Sequence, residues 1–161
     1  MSLEKVKEYF KQYNMEGRII EFDVSSATST LAAEAIGCGV EQIAKTLSFK
    51  DGESCILLVC SGAVKTDNKK FKETFGFKAK MLTPEETESL VGHAVGGVCP
   101  FAVRDGLKIY LDESLRQYET VYAACGSSNS VIGLTIDELT KYSNALGWVD
   151  VCRSREEQIC S

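Results

Sequence analysis

The chain holds one histidine, one tryptophan and two prolines in 161 residues, and its seven cysteines include no C-x-x-C pair. A single histidine makes a Ser-His-Asp arrangement an unconvincing reading, and no pair of carboxylates stands out at pocket-like positions, so acid-base hydrolysis finds little support. With no thiol close to His93 in sequence, no metal site and no cofactor are expected. The cysteine count is odd, and no charged stretch followed by an apolar one opens the chain. The thiols are therefore expected to be reduced, and the protein to be unexported and cytoplasmic. The best apolar run, Cys55 to Val64, is well short of the roughly 20 residues that span a membrane. Positive charge is also scarce: 18 Lys and Arg against 23 Asp and Glu give a net charge of -5. That balance excludes holding nucleic acid by bulk charge, so no DNA partner is expected and any RNA contact has to be local. Repeats, linkers and low-complexity segments are missing too, which leaves one domain over residues 1–161 with a core from about 18 to 152.

What is present centres on Gln42-Ile43-Ala44-Lys45-Thr46-Leu47-Ser48-Phe49. A strand alternates its side chains, so Ile43, Lys45, Leu47 and Phe49 share a side, and that side is expected to face the core. A lysine there loses solvation unless it is paired or faces a cleft. Lys45 is thus the first candidate functional residue, the alternative being a strand-end lysine that snorkels to water.

Leu3, Val6, Phe10 and Tyr13 fall at helical spacing and predict an opening amphipathic helix, with a strand from Arg18 to Phe22 after it. The hydroxyl-rich run Val24 to Thr30, including Thr28, suits a helix cap or a pocket wall and feeds an alanine-rich helix, Leu31 to Ile36, closed by Gly37. Strands over Ala44–Phe49 and Ser54–Cys60 meet through the Asp51-Gly52 hairpin signal. Cys55 and Cys60 sit in apolar runs and read as small core residues. Lys65 to Lys80 then carries six lysines against two acids. Phe71 and Phe75 mark a short helix there, with Lys69 and Lys70 near its N-terminus, where lysines oppose the helix dipole and suggest a bound anion or a solvated face. Thr83-Pro84-Glu85-Glu86 and Thr135-Ile136-Asp137-Glu138 are capping boxes. The first opens a helix to about Val91; the second opens one with Ile136, Leu139, Tyr142 and Leu146 inward and Gly147 as its stop. Further strands are expected over Leu107–Leu111, Thr120–Ala124 and Val131–Leu134, with a tight turn at 126–130 and a short tail fraying beyond Arg153. The fold expected is mixed α/β, a single domain with a largely antiparallel or mixed sheet and surrounding helices.

Gly92 to Phe101 holds three glycines and a proline and cannot be a regular element. Gly96-Gly97-Val98-Cys99-Pro100 can present backbone N–H groups to an oxygen that gains charge during acyl transfer; a structural turn is the alternative. Cys99 reads either as a residue lining that turn or as a thiol nucleophile, with no general base in view.

Gln42 to Leu47, Asp67 to Lys72, Met81 to Glu86, Val95 to Phe101, Gly126-Ser127 before a strand and Asp137-Glu138-Leu139 resemble, in order and spacing, the YbaK-like family of prolyl-tRNA synthetase editing domains. The resemblance runs from about Phe22 to Leu139. It implies a free-standing, metal-independent deacylase that hydrolyses the ester of a mischarged tRNA, with the aminoacyl-tRNA acceptor end and prolyl-tRNA synthetase as partners. The family lysine falls on Lys45, its G-x-x-x-P turn on Gly96 to Pro100, and its pocket-closing small turn on Gly126 and Ser127. Thr28, Lys69 and Lys70 join the substrate-binding candidates. Two departures stand out. Cys99 replaces a serine common in relatives, and the aspartate used by the cysteine-specific branch is missing among Asn129, Ser130 and Val131. Cysteinyl-tRNA is accordingly not the obvious substrate. A non-catalytic tRNA- or synthetase-binding paralogue and a Cys99-dependent thiol enzyme are the rival readings.

Overall fold

Local signals set the helix starts. Thr83 and Thr135 each accept the amide three residues on, and Glu86 and Glu138 reach back to the amides of Thr83 and Thr135, so both capping boxes form. The computed structural model describes residues 2–154. Among them are α1 (Ser2–Lys11), β1 (Ile19–Glu21), α2 (Ser29–Ile36), β2 (Ile43–Asp51), β3 (Ser54–Ser61), β4 (Val64–Thr66), α3 (Asn68–Phe75), α4 (Pro84–Leu90), β5 (Lys108–Asp112), β6 (Thr120–Ala124), β7 (Ser130–Thr135), α5 (Ile136–Ser143), β8 (Gly147–Val149) and β9 (Cys152–Ser154). Cys160 and the tail from residue 155 on, where fraying was expected, lie outside the described residues.

The strands form a seven-stranded sheet of order β1-β7-β6-β2-β3-β5-β8, and β4 pairs with β9 apart from it. The pairs β1–β7, β6–β7 and β2–β3 are antiparallel, whereas β2–β6, β3–β5 and β5–β8 are parallel. The sheet is therefore evenly mixed. Of the two arrangements expected, largely antiparallel or mixed, it is the mixed one, and its parallel pairs join strands far apart in sequence.

The main core lies on one face, where Leu57, Val59, Leu111, Ile132 and Leu134 pack with Phe10 of α1 and with Phe101. Burying each such side chain contributes about 1.5–3 kcal/mol. Phe10 meets Phe101 edge to face at 4.9 Å, which fixes the chain just past the glycine-rich turn against α1. The opposite face of β2 carries Ile43, Lys45, Leu47 and Phe49, as the alternation predicts, but it does not face this core. It faces two smaller clusters, Ile43 with Ala32 and Ala33, and Phe49 with Ile56, Leu58 and Phe71. An interior strand is covered on both sides, and alternation cannot tell which cover is thicker.

One helix ends early. Asn144 takes a left-handed conformation, φ 55°, and stops α5 at Ser143, so Leu146 is 63% exposed instead of inward. Gly147 is then not the helix stop but the first residue of β8.

Candidate functional site

The site arises where the sheet comes apart. β2 and β6 pair over two positions only, Ile43 with Tyr122 and Ala44 with Ala123. Farther along, the same edge of β2 is taken up by the segment before α4, with Lys50 N donating to Lys80 O at 2.7 Å and Leu82 N donating to Ser48 O at 3.2 Å. Between these attachments the edge is open, and a cavity of about 410 Å³ fills the gap. Its wall is mostly apolar: Ala32, Ile43, Ala44, Leu47, Met81, Leu82, Val98, Ala124 and Val131. Of the described residues that wall it, Lys45 alone is charged.

Lys45 is half-buried, and its ammonium donates to the carbonyl of Val64 in β4. This is the pairing that a lysine on a covered strand face requires. Thr28 serves both purposes expected of its hydroxyl run: its Oγ1 accepts Leu31 N at 3.1 Å to cap α2, and the residue lines the cavity.

The glycine-rich turn supplies the opposite part of the wall through Val95, Gly96 and Val98. Gly96 sits at φ +97°, open in practice to glycine alone. Gly97 has no room for a side chain, since a Cβ would stand 2.5 Å from Gly126 C and 2.6 Å from Ser127 N. The two turns singled out in the sequence are thus backbone against backbone, with Gly126 and Ser127 behind the wall, not in it. Gly97 N donates to Ala94 O at 3.0 Å, so its amide is already used within the turn. The N–H groups of Val98 and Cys99 have no backbone partner among the described residues. An amide that the fold leaves without a backbone partner is open to a ligand or to water.

Other sequence candidates stand elsewhere. Lys69 and Lys70 belong to α3 and do not line the cavity. Asp67 caps this helix by accepting the amides of both, so the anion at that N-terminus is the protein's own carboxylate. Lys70 Nζ is held by Cys152 O at 3.1 Å and lies 3.4 Å from Asp150, whereas Lys69 and Lys72 are exposed. Cys99 and Pro100 are buried behind the turn, outside the cavity.

Comparison with known proteins fits this geometry. A family model for the aminoacyl-tRNA editing domain matches residues 24–142. The chain belongs to this family. The editing domain is 49% identical over 157 residues to the uncharacterized protein YwhH of Bacillus subtilis (strain 168), covering 97% of this chain and 100% of that protein. A solved structure described as a candidate trans-editing enzyme for prolyl tRNA synthetase superposes with a TM-score of 0.85 at 31% identity, over 95% of this chain and 98% of that one. A structure from a study of computational epitope grafting on scaffold proteins gives 0.85 at 28% identity, over 95% and 97%. Such matches locate the fold, and the chemistry is read from the residues.

Within the editing domain the thiol of Cys99 is out of a substrate's reach. It is fully buried and pushed up to about 12 by desolvation, so the thiolate a nucleophile needs is scarce at neutral pH. The fold does bring it a histidine that sequence distance concealed, His93, with Nε2 3.5 Å from Cys99 Sγ. That nitrogen cannot act as the missing base. It lies 2.7 Å from Phe101 O, a contact that requires Nε2 to carry a proton and donate it. Burial also lowers the His93 pKa and keeps the ring neutral. The pair reads instead as a clip: His93 precedes the glycine-rich turn, Phe101 follows it, and their hydrogen bond closes the loop between them. Cys99→Ser is expected to lose less than about tenfold in kcat/KM, whereas removing a nucleophile costs about 10⁴-fold or more. Steady-state deacylation by the two proteins checks this.

The sequence offered His93 only as a metal ligand or a triad member, both set aside, and it did not mark Thr46, Met81, Leu82 and Tyr122 as wall residues. The lone histidine three residues before a glycine pair was the available signal for the clip. Met81 and Leu82 carried none, because their place depends on pairing with the far end of β2.

Proposed function

We propose that this editing domain hydrolyses, in trans, the ester of a tRNA charged with a small wrong amino acid, the tRNA being that for proline or a related one. The observation that carries the reading is a single apolar cavity walled by Lys45 on one side and on the other by Val98 of the glycine-rich turn, whose N–H has no backbone partner among the described residues. In this reading Lys45 holds the terminal adenosine or its phosphate at the mouth. The N–H of Val98 stabilises the oxyanion that forms when water, assisted by a ribose hydroxyl of the substrate, attacks the ester carbonyl. The tetrahedral intermediate expels the ribose oxygen, which takes up a proton, leaving free amino acid and uncharged tRNA. The protein supplies charge and position, and no side chain is asked to be a nucleophile.

The described solved relative supports prolyl-tRNA synthetase as the enzyme whose errors are corrected, with the domain working in the cytoplasm beside translation. The deciding experiment incubates the protein with tRNAs mischarged with alanine, cysteine, serine and threonine and measures which ester is lost. Loss of one or more small amino acids is the expected result. Retention of every ester together with tight tRNA binding would instead mark a non-catalytic adaptor.

The exposed Lys69 and Lys72 supply local positive charge for the tRNA backbone. Lys69→Gln and Lys72→Gln are expected to weaken tRNA binding. Each should also reduce the slope of log K against log salt by about 0.7–0.9 for every phosphate that is no longer neutralised. Binding titrations at three salt concentrations measure it, and an unchanged slope returns both residues to a solvated helix face.

A further inference from the structure

Several hydroxyls line the cavity, and among the described residues Thr46 is the lining residue whose hydroxyl is buried without a partner. It shares the face of β2 that bears Ala44 and Ser48, and all three line the cavity. Its Oγ1 is shut off from solvent and has no hydrogen-bond partner among the described residues. Its main chain is in the same condition. The backbone groups of Ser48 and Lys50 point away from β3, toward the segment at 80–82. Alternation in an antiparallel pair gives Thr46 the same direction. The pairing of β2 with β6 stops at Ala44, so the N–H and C=O of Thr46 open into the gap with nothing bonded to them among the described residues. Ser48, 5% exposed, adds a second hydroxyl that makes no side-chain hydrogen bond within the described residues.

Three unpaired polar groups on one residue, set in an apolar wall, describe a place prepared for a polar ligand group. The deacylase reading puts the amino acid of an aminoacyl ester in this cavity, and the inference rests on that reading. We infer that Thr46 is a specificity residue that selects an amino acid with a β-hydroxyl, serine or threonine, over alanine. The β-hydroxyl pairs with Thr46 Oγ1, and the outward carbonyl of Thr46 accepts the α-ammonium, for which the wall offers no carboxylate. An alanyl methyl leaves Oγ1 buried and unpaired, the situation in which a hydrogen-bonding site rejects an analogue lacking the partner group, by as much as about 10⁴-fold.

The test compares the chain with its Thr46→Val and Thr46→Ser variants. Two readouts are taken: kcat/KM on seryl- and alanyl-tRNA, and the Kd of non-hydrolysable seryl and alanyl amides of 3′-amino-3′-deoxyadenosine. The unaltered chain is expected to prefer seryl over alanyl by at least about tenfold in both readouts. Thr46→Val should reduce that ratio about tenfold by removing the hydroxyl at nearly constant volume, and Thr46→Ser should keep it. A ratio near one in the unaltered chain, or a ratio that Thr46→Val leaves in place, overturns the assignment. If neither ester is hydrolysed, the deacylase reading fails by itself. The amide Kd ratio then decides for or against Thr46 without it.

Discussion

Lys45→Ala is expected to abolish measurable deacylation while leaving the fold in place. Lys45 is the one charged residue of the cavity wall among the described residues, and in the proposed reading it positions the acceptor end, where a misplacement of about 1 Å costs roughly 10²-fold in rate. On the structural side, the ammonium ties β2 to the Val64 carbonyl. Truncation leaves that carbonyl on a three-residue strand to find water. Circular dichroism should be unchanged and thermal unfolding shifted by only a few degrees. Mischarged tRNA measured under single turnover gives the chemical step free of product release. Full activity in this variant would remove Lys45 from the site and sink the mechanism built on it.

Gly97→Ala should be as damaging by a different route. The new methyl has to occupy space held by the backbone of Gly126 and Ser127, atoms that cannot swing aside as a side chain does. Overpacking of this sort costs about 1–3 kcal/mol of stability. Relief by parting the two turns moves the Val98 amide, and a misplacement of about 1 Å at such a site costs roughly 10²-fold in rate. Gly17→Ala is the control, since a Cβ there meets nothing within 4 Å and its φ is ordinary. A Gly97→Ala protein with normal kcat would show that the turn amides take no part in the chemistry.

What could be read beforehand followed from how local each feature is. Lys45 declared itself because a strand alternates with period two, and the helix starts because Thr83 with Glu86 and Thr135 with Glu138 complete their hydrogen bonds within one turn. The need for glycine at positions 96 and 97 was visible. Which amides remain open was not, because Gly97 N is claimed by Ala94 O. The parallel pairs stayed hidden because they join strands far apart in sequence, and the Cys99–His93 contact because an irregular loop folds back over six residues; neither leaves a periodic trace. The strands β4, β8 and β9 are three residues long, too short for any alternation to register. A neighbour in space can also reverse the meaning of a residue. Asp67 turned an apparent anion site on α3 into a finished helix cap, and full burial turned Cys99 from a candidate nucleophile into filling behind the turn.

The short junction between β2 and β6 has a mechanical side. It divides the large sheet into a panel of β1, β7 and β6 and a panel of β2, β3, β5 and β8, joined along a seam two residue pairs long. An occupant that bonds to Thr46 on one panel and lies against Tyr122 and Ala124 on the other works as a splint across that seam. In the proposed reading a bound substrate would brace the two panels against each other, and the empty seam would be held by its two residue pairs alone.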